Sequence, residues 1–158
     1  MAVEIGKRVP DVTLVSSERK AAKLSEFLGK PTVLVFFPGA FTGVCTKELC
    51  TFRDGMTKFN EMKAQVLAIS VDSPFAQKAF AEQNKLNFTL LSDFRREAVR
   101  IFGIEDPNFI NGLLPGVAKR SVFVLDKNGI VTYRWVSDNP GVEPNYQEVE
   151  AAVRKITN

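Results

Sequence analysis

The sequence predicts an α/β fold, a three-layer sandwich with helices on both faces of a central mixed β-sheet. Three observations lead there. Short apolar runs bounded by Pro and Gly alternate with segments of helical period, an Asn128-Gly129 turn joins two late apolar runs, and an amphipathic stretch closes the chain. With 158 residues, 45% of them apolar, the chain has the size of one ordinary domain, spanning residues 1–158, that buries a core without disulfides or metals.

The first strand is expected at Thr32 to Phe37, a branched and aromatic run introduced by Gly29-Lys30-Pro31 and stopped by Pro38-Gly39. From Gly43 the residues Val44, Leu49, Phe52, Met56, Phe59 and Met62 return every three to four positions, which predicts one helix ending near Lys63 with Thr42 as its N-cap. Gln65 to Val71 reads as a second buried strand. Ser73-Pro74 opens a helix with Phe75, Ala79 and Phe80 turned inward. Phe88 to Leu91 predicts a short strand and Arg95 to Phe102 a short helix. Ile104 to Lys119 is rich in Pro, Gly and Asn and reads as a loop long enough to suspect function, with Leu113 and Leu114 exposed or half-buried. Arg120 to Leu125 and Ile130 to Val136 form a hairpin about Asn128-Gly129, and Glu143 to Ile156 is the closing helix. Alternating units followed by a hairpin and a last helix match the thioredoxin-like fold.

Composition excludes several function classes. A net charge of +3, with Lys and Arg scattered along the chain, argues against nucleic-acid or membrane partners. The segment Met1 to Lys7 has no apolar stretch of signal-peptide kind, which leads to the expectation of a cytoplasmic protein. The absence of His excludes a Ser-His-Asp triad, a Cys-His pair and any histidine-ligated metal, and two cysteines cannot close a zinc site, so no metal or cofactor is expected. In a reducing compartment Cys45 and Cys50 are either buried bystanders or redox-active.

The stretch Phe36 to Cys50 delivers Cys45 to the first turn of a helix straight after a buried strand. An ordinary thiol with a pKa of about 8.5 is roughly 3% ionised at pH 7, whereas helix N-termini and nearby cations bring reactive thiols to about 3.5 to 7.5. A shift of about 2.5 units requires roughly 3.4 kcal/mol, and a helix N-terminus supplies about 0.3 to 2 kcal/mol. A hydroxyl, with Thr42 as donor across the turn, and a guanidinium from elsewhere in the chain are therefore expected beside Cys45; spacing does not name the arginine.

Pro38-x-x-x-Thr42-x-x-Cys45 resembles the active-site signature of the peroxiredoxins. The resemblance extends through Ile69-Ser70-Val71-Asp72-Ser73-Pro74, Leu91-Ser92-Asp93 and Arg120-Ser121-Val122-Phe123-Val124-Leu125-Asp126, and so covers most of the chain. It implies a thiol peroxidase in which the Cys45 thiolate attacks a hydroperoxide and becomes a sulfenic acid. It assigns the guanidinium to Arg120 and its orientation to Glu48. The N–H groups near Val44 and Cys45, with Thr42 and Arg120, would hold the peroxide oxygens, and Pro38 would shield the sulfenate. A thioredoxin-like or other thiol reductant is implied as partner, and a homodimer whose contact is sought at Ile104 to Lys119.

Cys50 lies five positions after Cys45, which on an ideal helix puts their Cα atoms roughly 8 to 9 Å apart, beyond the limit of about 7 Å for a disulfide. For Cys50 to resolve the sulfenic acid, the first turns of the helix must unwind. The spacing resembles the peroxiredoxin Q or bacterioferritin comigratory protein branch, where a resolving cysteine sits at this position. The flanking Phe-Pro-Gly-Ala-Phe-Thr-Gly-Val-Cys is more similar to the one-Cys alkyl hydroperoxide reductase E and type-five-like branches. Arg134 is the alternative cation, and Arg95, Arg96 and Arg100 read as a solvated helix face. Phe36, Phe52, Phe59 and Phe80 read as core, whereas Phe41, Phe109 and Leu114 are candidates for the peroxide entrance or a subunit contact. Two competing functions share the fold: a thiol-disulfide oxidoreductase, disfavoured because four residues separate the cysteines instead of two, and a non-catalytic binding module.

Overall fold

The computed structural model describes residues 3–157; Met1 and Ala2, at the start of the segment from which location was read, lie outside them. The elements in chain order are β1 (Thr13–Ser16), β2 (Ala21–Lys23), a one-turn 3-10 helix (Leu24–Phe27), β3 (Thr32–Phe36), α1 (Gly43–Asp54), α2 (Met56–Glu61), β4 (Gln65–Ser70), α3 (Pro74–Gln83), β5 (Thr89–Ser92), α4 (Glu97–Ile101), β6 (Glu105–Asp106), β7 (Val117–Ala118), β8 (Ser121–Leu125), β9 (Val131–Val136) and α5 (Tyr146–Lys155). Seven strands form the main sheet in the order β2-β1-β5-β4-β3-β8-β9, with β3, β4 and β5 parallel and the other pairings antiparallel. This is the mixed sheet of the predicted thioredoxin-like sandwich.

β3 lies centrally and is buried along its whole length, because both of its faces are covered. Val33, Val35 and Phe37 point to one face with Val66, Ala68, Val122 and Val124, where α1, α2, α3 and α5 supply Leu49, Phe52, Met56, Phe59, Phe80, Val149 and Val153. Leu34 and Phe36 point to the other with Leu67, Ile69, Phe123 and Leu125, where α4 adds Ala98 and Val99 and the ring of the following Phe102 lies tilted against Phe36, centroids 5.0 Å apart. The period of two in the strands and of three to four in the helices thus sorts one apolar sequence into two cores.

Several expectations need correction. The single helix from Gly43 to Lys63 is two helices meeting at Gly55, whose N–H is shared between the carbonyls of Thr51 and Phe52 at 3.1 Å each. The apolar period runs through the break, so the pattern alone does not reveal it; glycine's poor helix propensity does. In α3, Phe75 is 65% exposed and Ala79 is also exposed, while Gln77 and Phe80 point inward. Once Phe80 sets the buried phase, its neighbour at i−3 is Gln77, and Phe75 falls on the far side; its ring lies 5.6 Å from the Arg19 guanidinium. The closing helix begins at Tyr146, because Asn145 caps it by accepting from the Glu148 N–H at 3.1 Å. The short, half-polar β1-β2 hairpin carries no clear alternation and was not anticipated. The loop from Ile104 to Lys119 is pinched shut by the two-residue ladder of β6 and β7.

The hairpin about Asn128-Gly129 is present. Asp126 accepts from the N–H groups of Asn128 and Ile130, and Gly129 has φ of +79°. A Cβ there would lie 2.9 Å from Leu28 Cδ1, so the glycine meets both a conformational and a packing demand.

Candidate active site

Strand register brings the site together. β3 runs parallel to β4 and antiparallel to β8, with Phe36 opposite Ser121. The end of β3 and the start of β8 therefore share one edge of the sheet. Arg120, the residue before Ser121, stands beside the loop that carries the chain from β3 into α1. Such strand-end loops are where α/β sheets build their sites.

That loop is tied down from β4. Asp72 Oδ2 accepts the Ala40 N–H at 2.8 Å and the Ser70 hydroxyl at 2.6 Å, and the Asp72 carbonyl accepts from the Ser92 hydroxyl at 2.6 Å. Phe41 then adopts a left-handed conformation, φ +67°, and Thr42 returns to extended geometry as the N-cap residue of α1. Thr42 was expected to cap with its hydroxyl and to donate across the turn. Instead its Oγ1 donates to the Gly39 carbonyl at 3.2 Å and makes no cap bond, so its backbone alone occupies the cap position. The Thr42 carbonyl accepts the Thr46 N–H at 2.9 Å and the Thr46 hydroxyl at 2.7 Å. Among the described residues, the N–H groups of Gly43, Val44 and Cys45 find no acceptor and remain available as donors at the positive end of the helix.

Cys45 is fully buried, and its Sγ accepts from Arg120 Nη2 at 3.3 Å. The guanidinium is fixed from two further directions. Nη1 donates to Glu48 Oε1 at 2.7 Å, while Nε and Nη2 donate to the Pro140 carbonyl at 3.0 and 2.8 Å. Arg120 is 2% exposed and Glu48 fully buried. Cys45 and Glu48 are three residues apart on α1 and so present one face to Arg120. Burial raises the Glu48 carboxyl to about 7, with Arg120 pulling it down and Glu143 adding to the rise. Its Oε2 has no partner among the described residues. Burial works against the charge on Arg120, but Glu48 and Cys45 more than offset it and hold the guanidinium above its ordinary value. Glu143 is held below its usual range, first by the Tyr146 hydroxyl at 2.5 Å and then by Lys47 at 3.2 Å.

Of the residues singled out from sequence, Pro38, Thr42, Val44, Cys45, Glu48 and Arg120 converge here. Pro38 is buried, and a cavity of about 350 Å³ opens beside Pro38, Gly39 and Thr42, with Phe109 and Leu114 on its outer wall. Phe41 is not part of that wall; it is exposed and turns its ring to Phe80 at 5.2 Å. Cys50 stands apart. It is half-buried, its Sγ donates to Asn84 Oδ1 at 3.7 Å, and both cysteines are free thiols. Arg134 is exposed on β9, opposite Phe123, and takes no part. Sequence reasoning missed Asp72 as the tether of the loop and the Pro140 carbonyl as a holder of Arg120. Asp72 lies inside a stretch noted for its resemblance, but a carbonyl carries no sequence signal. Among the described residues there is no cluster of metal-ligand side chains and no helix long and apolar enough to cross a membrane.

A buried sulfur here faces a locked guanidinium and free helix N–H groups, donors placed to stabilise negative charge on a partner oxygen. Comparison with known proteins agrees with that geometry. The AhpC/TSA family pattern matches residues 5–134. Chloroplastic peroxiredoxin Q of Sedum lineare is 44% identical over 126 residues, covering 80% of this chain and 65% of the relative. The crystal structure of peroxidoxin BcpB from Mycobacterium tuberculosis superposes with a TM-score of 0.85 at 32% identity, covering 98% of each chain. That of a peroxiredoxin-like protein from Aquifex aeolicus gives 0.88 at 29% identity, covering 99% of this chain and 89% of the other. The chain spans about three fifths of the length of the curated relatives it matches. Those relatives are chloroplast proteins, which overturns the cytoplasmic expectation. The expectation rested on the lack of an apolar stretch in Met1 to Lys7, and the absence of one kind of targeting signal does not point to a compartment. With the family pattern over most of its length and a near full-length structural match above, the chain belongs to the peroxiredoxin, or AhpC/TSA, family.

Proposed function

We propose that the protein is a thiol-dependent peroxidase in which Cys45 is the nucleophile. The observation that carries this reading is the buried Arg120 guanidinium, which donates to the Cys45 sulfur while Glu48 and Pro140 prevent it from turning away. The thiolate attacks the terminal oxygen of a hydroperoxide, the O–O bond breaks, and the departing oxygen takes a proton and leaves as water or an alcohol. The sulfur, oxidised by two electrons, becomes sulfenic acid. Arg120 and the N–H groups of Val44 and Cys45 hold the oxygens where charge moves, Thr42 gives a further donor once its hydroxyl leaves Gly39, and Pro38 keeps bulk water from the product. Hydrogen peroxide and organic hydroperoxides both fit this chemistry.

In the same reading residues 1–158 act as one domain, and Cys50 resolves the sulfenic acid as an intramolecular disulfide that thioredoxin or a similar thiol donor reduces. Two copies pair through the loop from Ile104 to Lys119, where Ile110, Leu113 and Leu114 are exposed. The test mixes reduced protein with stoichiometric hydrogen peroxide and follows Trp135, which packs at the edge of the core containing Cys45. A bimolecular rate far above that of free cysteine, absent in Cys45→Ser, is expected. A rate no faster than free cysteine's, unchanged in that variant, would end the reading.

A further inference from the structure

The surroundings of Cys50 suggest a role that the peroxidase chemistry leaves unassigned. Two α1 side chains one turn apart, Cys50 and Arg53, reach the same residue of the neighbouring helix. Cys50 Sγ donates to Asn84 Oδ1 at 3.7 Å, and Arg53 Nη1 donates to the Asn84 carbonyl at 2.6 Å. Asn84 is the C-cap residue of α3, and both its N–H and its Nδ2 donate to the Phe80 carbonyl, at 3.1 and 3.0 Å. Phe80 is buried against Phe37, the residue that follows β3, with ring centroids 6.2 Å apart. The anchor on which Cys50 is moored therefore runs back into the core.

Disulfide formation has to break this mooring. An intact α1 holds the two cysteines too far apart to bond, and between them Glu48 and Leu49 are fully buried, so the helix does not yield without losing packing. We infer that Asn84, braced by Arg53, is a positioning residue that latches Cys50 to α3 and so sets how long the Cys45 sulfenic acid waits before it is resolved. The inference rests on the reading of Cys50 as resolver. In the resolving step the Cys50 thiolate attacks the Cys45 sulfur, the S–S bond forms, the S–O bond breaks, and hydroxide leaves and is protonated to water. In the competing step a second hydroperoxide oxidises the waiting sulfenate to sulfinate and leaves as an alcohol or water. A firm latch lengthens the wait and favours the second outcome; a loose latch favours the disulfide.

The experiment compares Asn84→Ala, which removes both the acceptor for Cys50 and the Nδ2 donor to Phe80, with Asn84→Asp, which keeps an oxygen acceptor for Cys50 and gives up only the donor. Reduced protein is mixed with hydrogen peroxide, quenched at intervals with a thiol alkylator and weighed intact, so that sulfenate loss, disulfide and sulfinate are read separately. Loss of one weak hydrogen bond should speed disulfide formation by roughly two- to fivefold in Asn84→Ala. The peroxide needed for half over-oxidation should rise in step, while the rate of Cys45 oxidation stays unchanged. Asn84→Asp should not be faster than the parent. Equal acceleration in both variants would mark a general loosening of the α3 cap and overturn the latch, as would an unchanged disulfide rate in Asn84→Ala. Should Asn84→Ala fail to fold, Arg53→Gln loosens the same brace from α1 and should accelerate disulfide formation; no acceleration there also overturns it. A parent protein that forms no Cys45–Cys50 disulfide would refute the resolver reading itself, a result distinct from a disulfide whose rate ignores Asn84.

Discussion

Replacing Arg120 by Lys is the sharpest test of the site because it keeps the charge and removes the fork. The guanidinium makes four hydrogen bonds in three directions, one to Glu48, one to the Cys45 sulfur and two to the Pro140 carbonyl. An ammonium at the end of a flexible stem does not reach all three partners at once. The 2.7 Å contact with Glu48 Oε1 is the strongest competitor for it, so the bond to sulfur is the one expected to be lost. A hydrogen bond to a charged group contributes about 1.5–3 kcal/mol, which corresponds to a fall in the bimolecular peroxide rate of roughly 10- to 150-fold. Stopped-flow fluorescence of Trp135 measures that rate, and circular dichroism verifies that the variant is folded. A folded Arg120→Lys protein that retains its rate to within about twofold would show that charge alone suffices and that the locked geometry is irrelevant.

Two further outcomes follow from the same residues. Burial gives folded Glu48 a carboxyl near 7 against an ordinary 4.5, so between those values the folded state binds more protons than the unfolded one and stability falls as pH rises. The favourable contribution is whole below about pH 4.5 and lost as pH passes about 7, for a total on the order of 3 kcal/mol. Urea midpoints of the parent across this window should therefore fall relative to those of Glu48→Gln, and parallel curves would contradict the assignment. Asp72→Ala strands the Ala40 N–H and frees the loop that sets the start of α1. It should lower the peroxide rate about five- to tenfold and cost about 1–3 kcal/mol in stability, and an unchanged rate in stopped-flow would remove Asp72 from the positioning of Cys45.

How far the sequence could be read depended on the range of the interaction. β3, β4, the β8-β9 hairpin and α5 were legible because apolar run, turn residue and period are local properties. The outward turn of Phe75 was not, since an apolar residue in phase looks the same whether a core meets it or not, and the break at Gly55 was marked only by glycine's poor helix propensity, against an apolar period that runs through it. The β1-β2 hairpin was missed because its strands are short and half-polar, and they become strands by pairing with each other and with β5.

The site divides in the same way. By itself the sequence removed the histidine-dependent chemistries and set Cys45 in the first turn of a helix straight after a buried strand, which made it the candidate nucleophile. Arg120 could be named only by resemblance. What brings it within 3.3 Å of a sulfur 75 residues away is the antiparallel register of β8 on β3. The Thr42 hydroxyl turned to Gly39, the Pro140 carbonyl on the guanidinium and the mooring of Cys50 on Asn84 were likewise decided by the tertiary structure. The physical reason is that a hydrogen bond depends on distance and direction between atoms, and for residues far apart in the chain these are set only when sheet register and helix packing are complete.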